Sequence, residues 1–273
     1  MPELEKLQAQ YKLTALHEYT GQPAPQKKEY AMPLPEWDES VLENTSFINT
    51  MNALLQYAST HDSEKEMKKR FAKIGITPGQ LFDPTKYSKT ELDSINAGIQ
   101  DAQKALQENI SGTINSMNLF GTREDLGNDP LVRAVAAAIG IYGNTKEEAV
   151  YVGSQTDVNK EPLSGEHNYV LHFTKEQIPQ VKYFWSITVY KLPQRSLVEN
   201  SIARYALNDK SNLTYNEDGS LDIYLQPSSP TKNVSNWLPT PTKGAYNYVI
   251  RIYGPADDII NGKWQQPLPT KEL

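Results

Sequence analysis

After Lys146 the chain repeats one pattern: short runs of β-branched and aromatic residues, broken by Gly, Pro, Asn or Asp. AVYV, NYVLHF, FWSITVY, SIARYAL, LDIYLQ and YNYVIRIYG are each too short for a stable helix and alternate in the manner of strands. NEDGS (Asn216 to Ser220), between LTY and LDIYL, reads as a hairpin turn, because Asp-Gly supplies the positive φ angles a tight loop needs. Antiparallel strands at this spacing close into a sandwich or jelly roll.

FWSITVY (Phe184 to Tyr190) raises the functional question. Trp185, Ile187 and Val189 point one way and are plain core; Phe184, Ser186, Thr188 and Tyr190 point the other. That second row mixes rings with hydroxyls. Other segments carry similar rows: Asp222 and Tyr224 in LDIYLQ, Arg251 and Tyr253 in YNYVIRIYG, and Arg204 in SIARYAL.

The first half has a different period. Residues 1–44 hold Pro23, Pro25, Pro33 and Pro35 with Tyr19, Tyr30 and Trp37 between, an extended arm lying against something rather than a free linker. From Thr45 the apolar spacing is helical. Phe47, Met51, Leu54, Leu55 and Ala58 make one stripe, and Met67, Phe71 and Ile74 make a second, opened by a Ser63–Glu66 capping box and stopped at Gly75. Ser88 and Glu91 open a longer helix through Leu92, Ile95, Ile99, Ala102, Leu106 and Ile110. Asp129-Pro130 opens a fourth, ending near Gly143. The expected fold is therefore α+β: a helical region at 45–145 packed as one compact unit on an antiparallel, jelly-roll-like β-sandwich at 146–273.

Composition removes several chemistries. There is no cysteine, so disulfides, thiolate catalysis and Cys-ligated metals are excluded. A net charge of −6 with no basic stripe argues against nucleic acid. No window is apolar enough for a membrane span, and MPELEKLQAQYKL lacks the apolar core of a signal peptide. The chain reads as soluble, cytoplasmic by default and periplasmic if a longer precursor was trimmed. Nucleophile-elbow, Walker, dinucleotide and zincin motifs are absent, so no cofactor and no catalytic residue is assigned. His167 and His172, five apart, fall on opposite faces of a strand and do not suit one metal.

The segments FWSITVYKLPQRSLVENSIARYALND, YNEDGSLDIYLQPSSP, NWLPTP and YVIRIYGP…INGKW together resemble the bacterial family called domain of unknown function 1214. The likeness extends upstream through GNDPLVRAVAAAIGIYGNTKEEAVYV and LSGEHNYVLHF, and covers roughly the last two-thirds of the chain. The departures are Pro179-Gln180, where the family has Pro-Pro, and Thr240, where it has a small residue after NWLP. The resemblance implies a β-sandwich of jelly-roll type and brings no activity with it. Proteins that look like this usually carry a preceding domain of unknown function 1254, and this chain starts too late to contain it. It is either a naturally short member or a piece of a longer protein.

The candidate binding residues are Arg133, Thr188, Tyr190, Arg204, Asp222, Tyr224, Trp237, Arg251 and Tyr253. If the mixed rows adjoin, they make one aromatic, hydrogen-bonding surface suited to a small polar or sugar-like ligand; the plainer alternative is a polar seam under the helices. Arg133, in PLVRAVAAAIGIY, shares a small-residue stripe with Ala136, Ala137 and Gly140. It is either an anion anchor or a structural pair with an acid of the sandwich. Trp237, braced by prolines, is either a plug or a stacking platform, and Trp264 tacks down the tail.

Three functions remain open. The first is a non-catalytic module binding such a ligand or docking a partner domain of the 1254 type. The second is a hydrolase or lyase with paired carboxylates, from Glu199, Asp209, Asp218 and Asp222, and an arginine anion anchor. The third is a structural jelly roll forming homo-oligomers.

Overall fold

The alternation after Lys146 becomes two β-sheets stacked through their apolar faces. The structure, a computed structural model, describes residues 2–27, 29–36, 38–110, 114–127 and 129–272. The chain divides into two units, residues 1–100 and 101–273. A helix-rich N-terminal region is thus followed by a sandwich-like pair of sheets.

In the first unit, α1 (Pro2–Gln8) and α2 (Leu16–Tyr19) are short and solvent-exposed. The arm is anchored further on. Gln56 Nε2 donates to Met32 O at 2.6 Å, and the Tyr30 ring lies 4.0 Å from that of Tyr57. Trp37 lies outside the described residues.

In α3 (Ser46–Leu55) the buried residues are Ile48, Thr50, Asn52 and Ala53, while Leu54 is exposed, so the face is rotated from the expected stripe. Asn52 explains the rotation. Its Nδ2 donates to Gly75 O and Gln80 O, and its Oδ1 accepts from Thr77 N, so a fully buried amide satisfies an otherwise unpaired turn.

Helix α4 (Lys65–Ala72) begins after a short 3-10 turn capped by His61, whose Nδ1 accepts from Ser63 N. Glu66 pairs with Lys69 instead of closing a box with Ser63. At α5 (Lys89–Ile110) the expected box does form: Glu91 Oε2 accepts from both Ser88 N and Ser88 Oγ at 2.7 Å. The boundary between the units falls inside this helix.

The second unit contains α6 (Arg123–Leu126), α7 (Pro130–Gly140), α8 (Asp257–Ile260) and the strands. In chain order these are β1 (Ile114–Asn115), β2 (Ala149–Ser154), β3 (Tyr169–Phe173), β4 (Val181–Lys191) and β5 (Ser196–Leu197). Then come β6 (Ala206–Asn208), β7 (Leu221–Gln226), β8 (Trp237–Pro239), β9 (Tyr246–Pro255) and β10 (Thr270–Lys271). The larger sheet runs β1-β2-β9-β4-β5, with β6 also on β4; the smaller runs β10-β3-β7-β8. Pairing is antiparallel except β7 with β8.

Val150, Trp185, Ile187, Ile250 and Ile252 of the larger sheet meet Leu171, Phe173, Leu221, Ile223 and Leu225 of the smaller in one cluster. The Phe173 and Trp185 rings are 5.9 Å apart across it. At about 1.5–3 kcal/mol for each large apolar side chain, this burial is the main stabilising term.

Two segments depart from the expected pattern. In SIARYAL only the last two residues are strand, because the Asn200 side chain bonds Arg204 N, Arg204 O and Val198 O and turns the chain there. The NEDGS turn forms, with Gly219 at φ 84°, but Leu213 to Tyr215 is not a strand. The backbone of Thr214 is taken by the buried Asn236, whose Oδ1 accepts from Thr214 N and whose Nδ2 donates to Thr214 O.

Helix α7 starts as expected. Asp129 Oδ1 accepts from Leu131 N at 3.0 Å and Val132 N at 3.1 Å, although the helix ends at Gly140. Among the described residues no helix is long and apolar enough to cross a membrane.

Candidate ligand face on the larger sheet

Register decides which candidate residues meet. On the face of the larger sheet turned away from the core, one row crosses Tyr151, Arg251, Ser186 and Asn208. Next to it on one side is the Tyr253–Phe184 pair; on the other are Val249–Thr188 and then Asn247–Tyr190.

Arg251 and Tyr190 sit diagonally, two same-face positions apart, yet Arg251 Nη2 donates to Tyr190 Oη at 2.8 Å. The guanidinium carbon is 5.6 Å from the Tyr190 ring centroid. Both side chains must therefore lean toward each other over the intervening pair, consistent with the burial of Thr188 and Val249 to 7% and 9% exposure.

Aromatic rings flank the arginine. Phe184 stacks on Tyr253 at 4.5 Å, Tyr151 meets Tyr253 edge-on at 6.3 Å, and Lys210 Nζ lies 5.6 Å from the Phe184 ring centroid. Burial raises the Tyr151 phenol above its usual value, reinforced by Tyr253 and opposed by the positive charge of Arg251. Arg251 itself remains half-buried, and among the described residues it makes no ion pair. Four of the expected residues, Thr188, Tyr190, Arg251 and Tyr253, therefore share one face.

The others do not join them, and the single shared surface is not formed. Asp222 and Tyr224 lie on β7 and Trp237 on β8, in the smaller sheet. Sheets stacked by their inner faces turn their outer faces apart. Trp237 is buried to 7% exposure with its indole N–H donated to Gln226 O at 2.8 Å, which is the plug and not the platform. Arg204 Nη1 donates to Val234 O at 2.6 Å and Trp237 O at 2.9 Å, pinning that loop.

Of the anticipated stripe on α7, Arg133, Ala137 and Gly140 are exposed and Ala136 alone is buried, beside Val135, so the stripe is not a close-packed face. Trp264 does hold the tail, donating to Gln177 O at 2.9 Å.

Of the four carboxylates, Asp218 and Asp222 share one hydrogen-bonded cluster through Ser220 and Asn216, and Asp209 and Glu199 stand outside it. Asp222 Oδ1 lies 2.6 Å from His172 Nδ1, and its Oδ2 accepts from Asn216 Nδ2. Asp218 is held low by hydrogen bonds from Ser220 within its turn. Asp209 accepts from Trp185 N, and Glu199 is exposed.

Sequence reasoning missed Tyr151 and Asn247 on the face that carries Arg251. The alternation in AVYVGS and YNYVIRIYG carried the signal, since Tyr151 and Asn247 fall in the same phase as the rows already noted. It also treated His172 and Asp222 separately, although β3–β7 pairing places them directly opposite.

Residues 148–257 match a family model described as "Protein of unknown function (DUF1214)". The matched stretch covers most of the sandwich, which is thus similar to DUF1214. The strands that carry the Arg251 face, β2, β4, β6 and β9, all lie within the matched residues.

Among solved structures, the chain resembles the VPA0106 protein of Vibrio parahaemolyticus, with 25% identity and a TM-score of 0.68 over 100% of this chain. The chain spans 65% of that protein's length. A Burkholderia cenocepacia protein aligns at 16% identity and a TM-score of 0.36, over 72% of this chain and 49% of its own. No curated protein matches the sequence.

Proposed function

We propose that the chain is a non-catalytic α+β module that binds a small organic acid on the outer face of its larger sheet. One observation carries this reading: a half-buried guanidinium, oriented by a phenol and surrounded by rings, that makes no ion pair among the described residues. An arginine fork matches a carboxylate in two-point geometry, and only one donor is engaged by Tyr190. Phe184, Tyr151 and Tyr253 supply flat surface for the rest of the ligand.

Calorimetry against organic acids and neutral sugars tests it. Acids should bind, and Arg251→Gln should weaken them about tenfold or more, the value of a hydrogen bond to a charged group. No binding, or binding unchanged in Arg251→Gln, sinks the reading.

A second reading, a structural module that self-assembles, is favoured by a separate feature. Leu197 of the edge strand β5, with Ile202 and Tyr205 beyond it, is exposed at 43%, 45% and 39%. Apolar residues along an open sheet edge suit a second copy. Light scattering should then give a dimer that Leu197→Lys dissociates; a monomer at high concentration argues against it.

A further inference from the structure

We propose that the second unit holds a separate binding site, an apolar cavity beneath α7 that takes a short-chain aliphatic amine. The cavity has a volume of ≈ 300 Å³, at the lower end of the range for small-molecule sites. Its walls come from three elements: Ile110 at the end of α5, Ile114 of β1, and Leu131, Val135 and Ile139 along one face of α7. Aliphatic walls offer water few hydrogen bonds, so an alkyl chain entering the cavity gains the transfer free energy of each methylene.

The polar lining selects the head group. Among the described residues it consists of Asp129, Asn109 and Asn115. The start of α7 would ordinarily favour an anion. Here Asp129 has already taken that position, with Oδ1 accepting from Leu131 N and Val132 N. Its second carboxylate oxygen remains as an acceptor. Asn109 donates its Nδ2 to Ala105 O at 2.8 Å, which leaves its Oδ1 as another. A negative charge and an amide oxygen at the lining of an aliphatic pocket complement an ammonium, which has donors and no acceptor. They repel a carboxylate. This site is independent of the Arg251 face, which prefers the opposite charge.

The test is titration of the full chain at neutral pH with butylamine, hexylamine, 1-hexanol and hexanoate, followed by calorimetry and ligand-observed NMR. Hexylamine should bind, tighter than butylamine by about fourfold for each added methylene, and hexanoate should bind more weakly than either amine. Asp129→Asn keeps a capping side chain but removes the charge. It should weaken hexylamine several-fold and leave hexanol unchanged. Ile139→Trp should fill the cavity and abolish binding; should circular dichroism show it unfolded, Leu131→Phe serves in its place. Hexanoate binding as well as hexylamine, binding that survives the filled cavity, or no saturable binding of the amines overturns the proposal.

Discussion

Two buried polar side chains show how differently the same burial can act. Asn236 is fully buried, and its amide reaches four partners: Thr214 N, Thr214 O, Asp222 O and Ser235 Oγ. It replaces the strand pairing that Leu213 to Tyr215 lacks. Asn236→Ala should cost about 2–4 kcal/mol, read from the midpoint of urea unfolding, because backbone groups are left unpaired. Tyr246 is equally buried, between Tyr169 and the rest of the core, yet its hydroxyl has no hydrogen-bond partner among the described residues. Tyr246→Phe keeps the ring and removes that unmet group. It should leave stability unchanged or raise it by about 1 kcal/mol in the same experiment. A loss as large as that of Asn236→Ala would show that the hydroxyl is satisfied after all.

At the scale of elements, caps and register do most of the positioning. The Ser88–Glu91 box starts α5, and hydrogen bonds from Ser88 hold the Glu91 carboxyl below its usual value. A carboxyl lowered by folding contributes stability above its unfolded pKa, and that contribution is lost as pH falls through the folded value. The first turn of α5 should therefore fray in acid, below about pH 4, visible as amide exchange at Ser88 and Glu91. Glu91→Gln preserves a capping box without a titrating group, and should remove the pH dependence. Register acts in the same way on the sheets. A shift of one residue between β4 and β9 that inverts β9 would send Arg251 into the core and Ile250 and Ile252 out to solvent, leaving Tyr190 without its partner. The outer face that joins Arg251 to Tyr190 exists only because the apolar phase of both strands locks that register.

For the whole molecule, the sandwich core has an alkaline limit written into it. Burial raises the phenols of Tyr246 and Tyr248, the first well above its ordinary value. A group whose neutral form is favoured by folding contributes fully below its unfolded pKa and loses that contribution as pH rises toward the folded value. Stability should accordingly be level across neutral pH and decline above about pH 10. The test is tyrosinate absorbance: Tyr246 and Tyr248 should ionise only as the protein unfolds. Ionisation of all tyrosines in a single step with folded circular dichroism retained would contradict the packing.

Local pattern alone determined a good deal. The helical first half, the Asp129 and Ser88 caps, the LDIYLQ, FWSITVY and YNYVIRIYG strands and the inward apolar rows all depend on neighbours within a few residues, where periodicity and capping chemistry operate. The likeness of residues 148–257 to DUF1214 was legible for the same reason, in contiguous segments. What the tertiary structure decided was which rows meet. Alternation says that Tyr190, Arg251, Asp222 and Tyr224 point away from a core, but not that β4 and β9 share one sheet while β7 belongs to the other. The outward side of Arg133 and the rotated face of α3 escaped for a related reason. Each is set by what packs against the helix, such as the turn that Asn52 satisfies, and a single helix cannot reveal its partner. Strand order is a long-range choice made by the burial of the whole core, and it placed four of the expected residues together and sent the rest elsewhere.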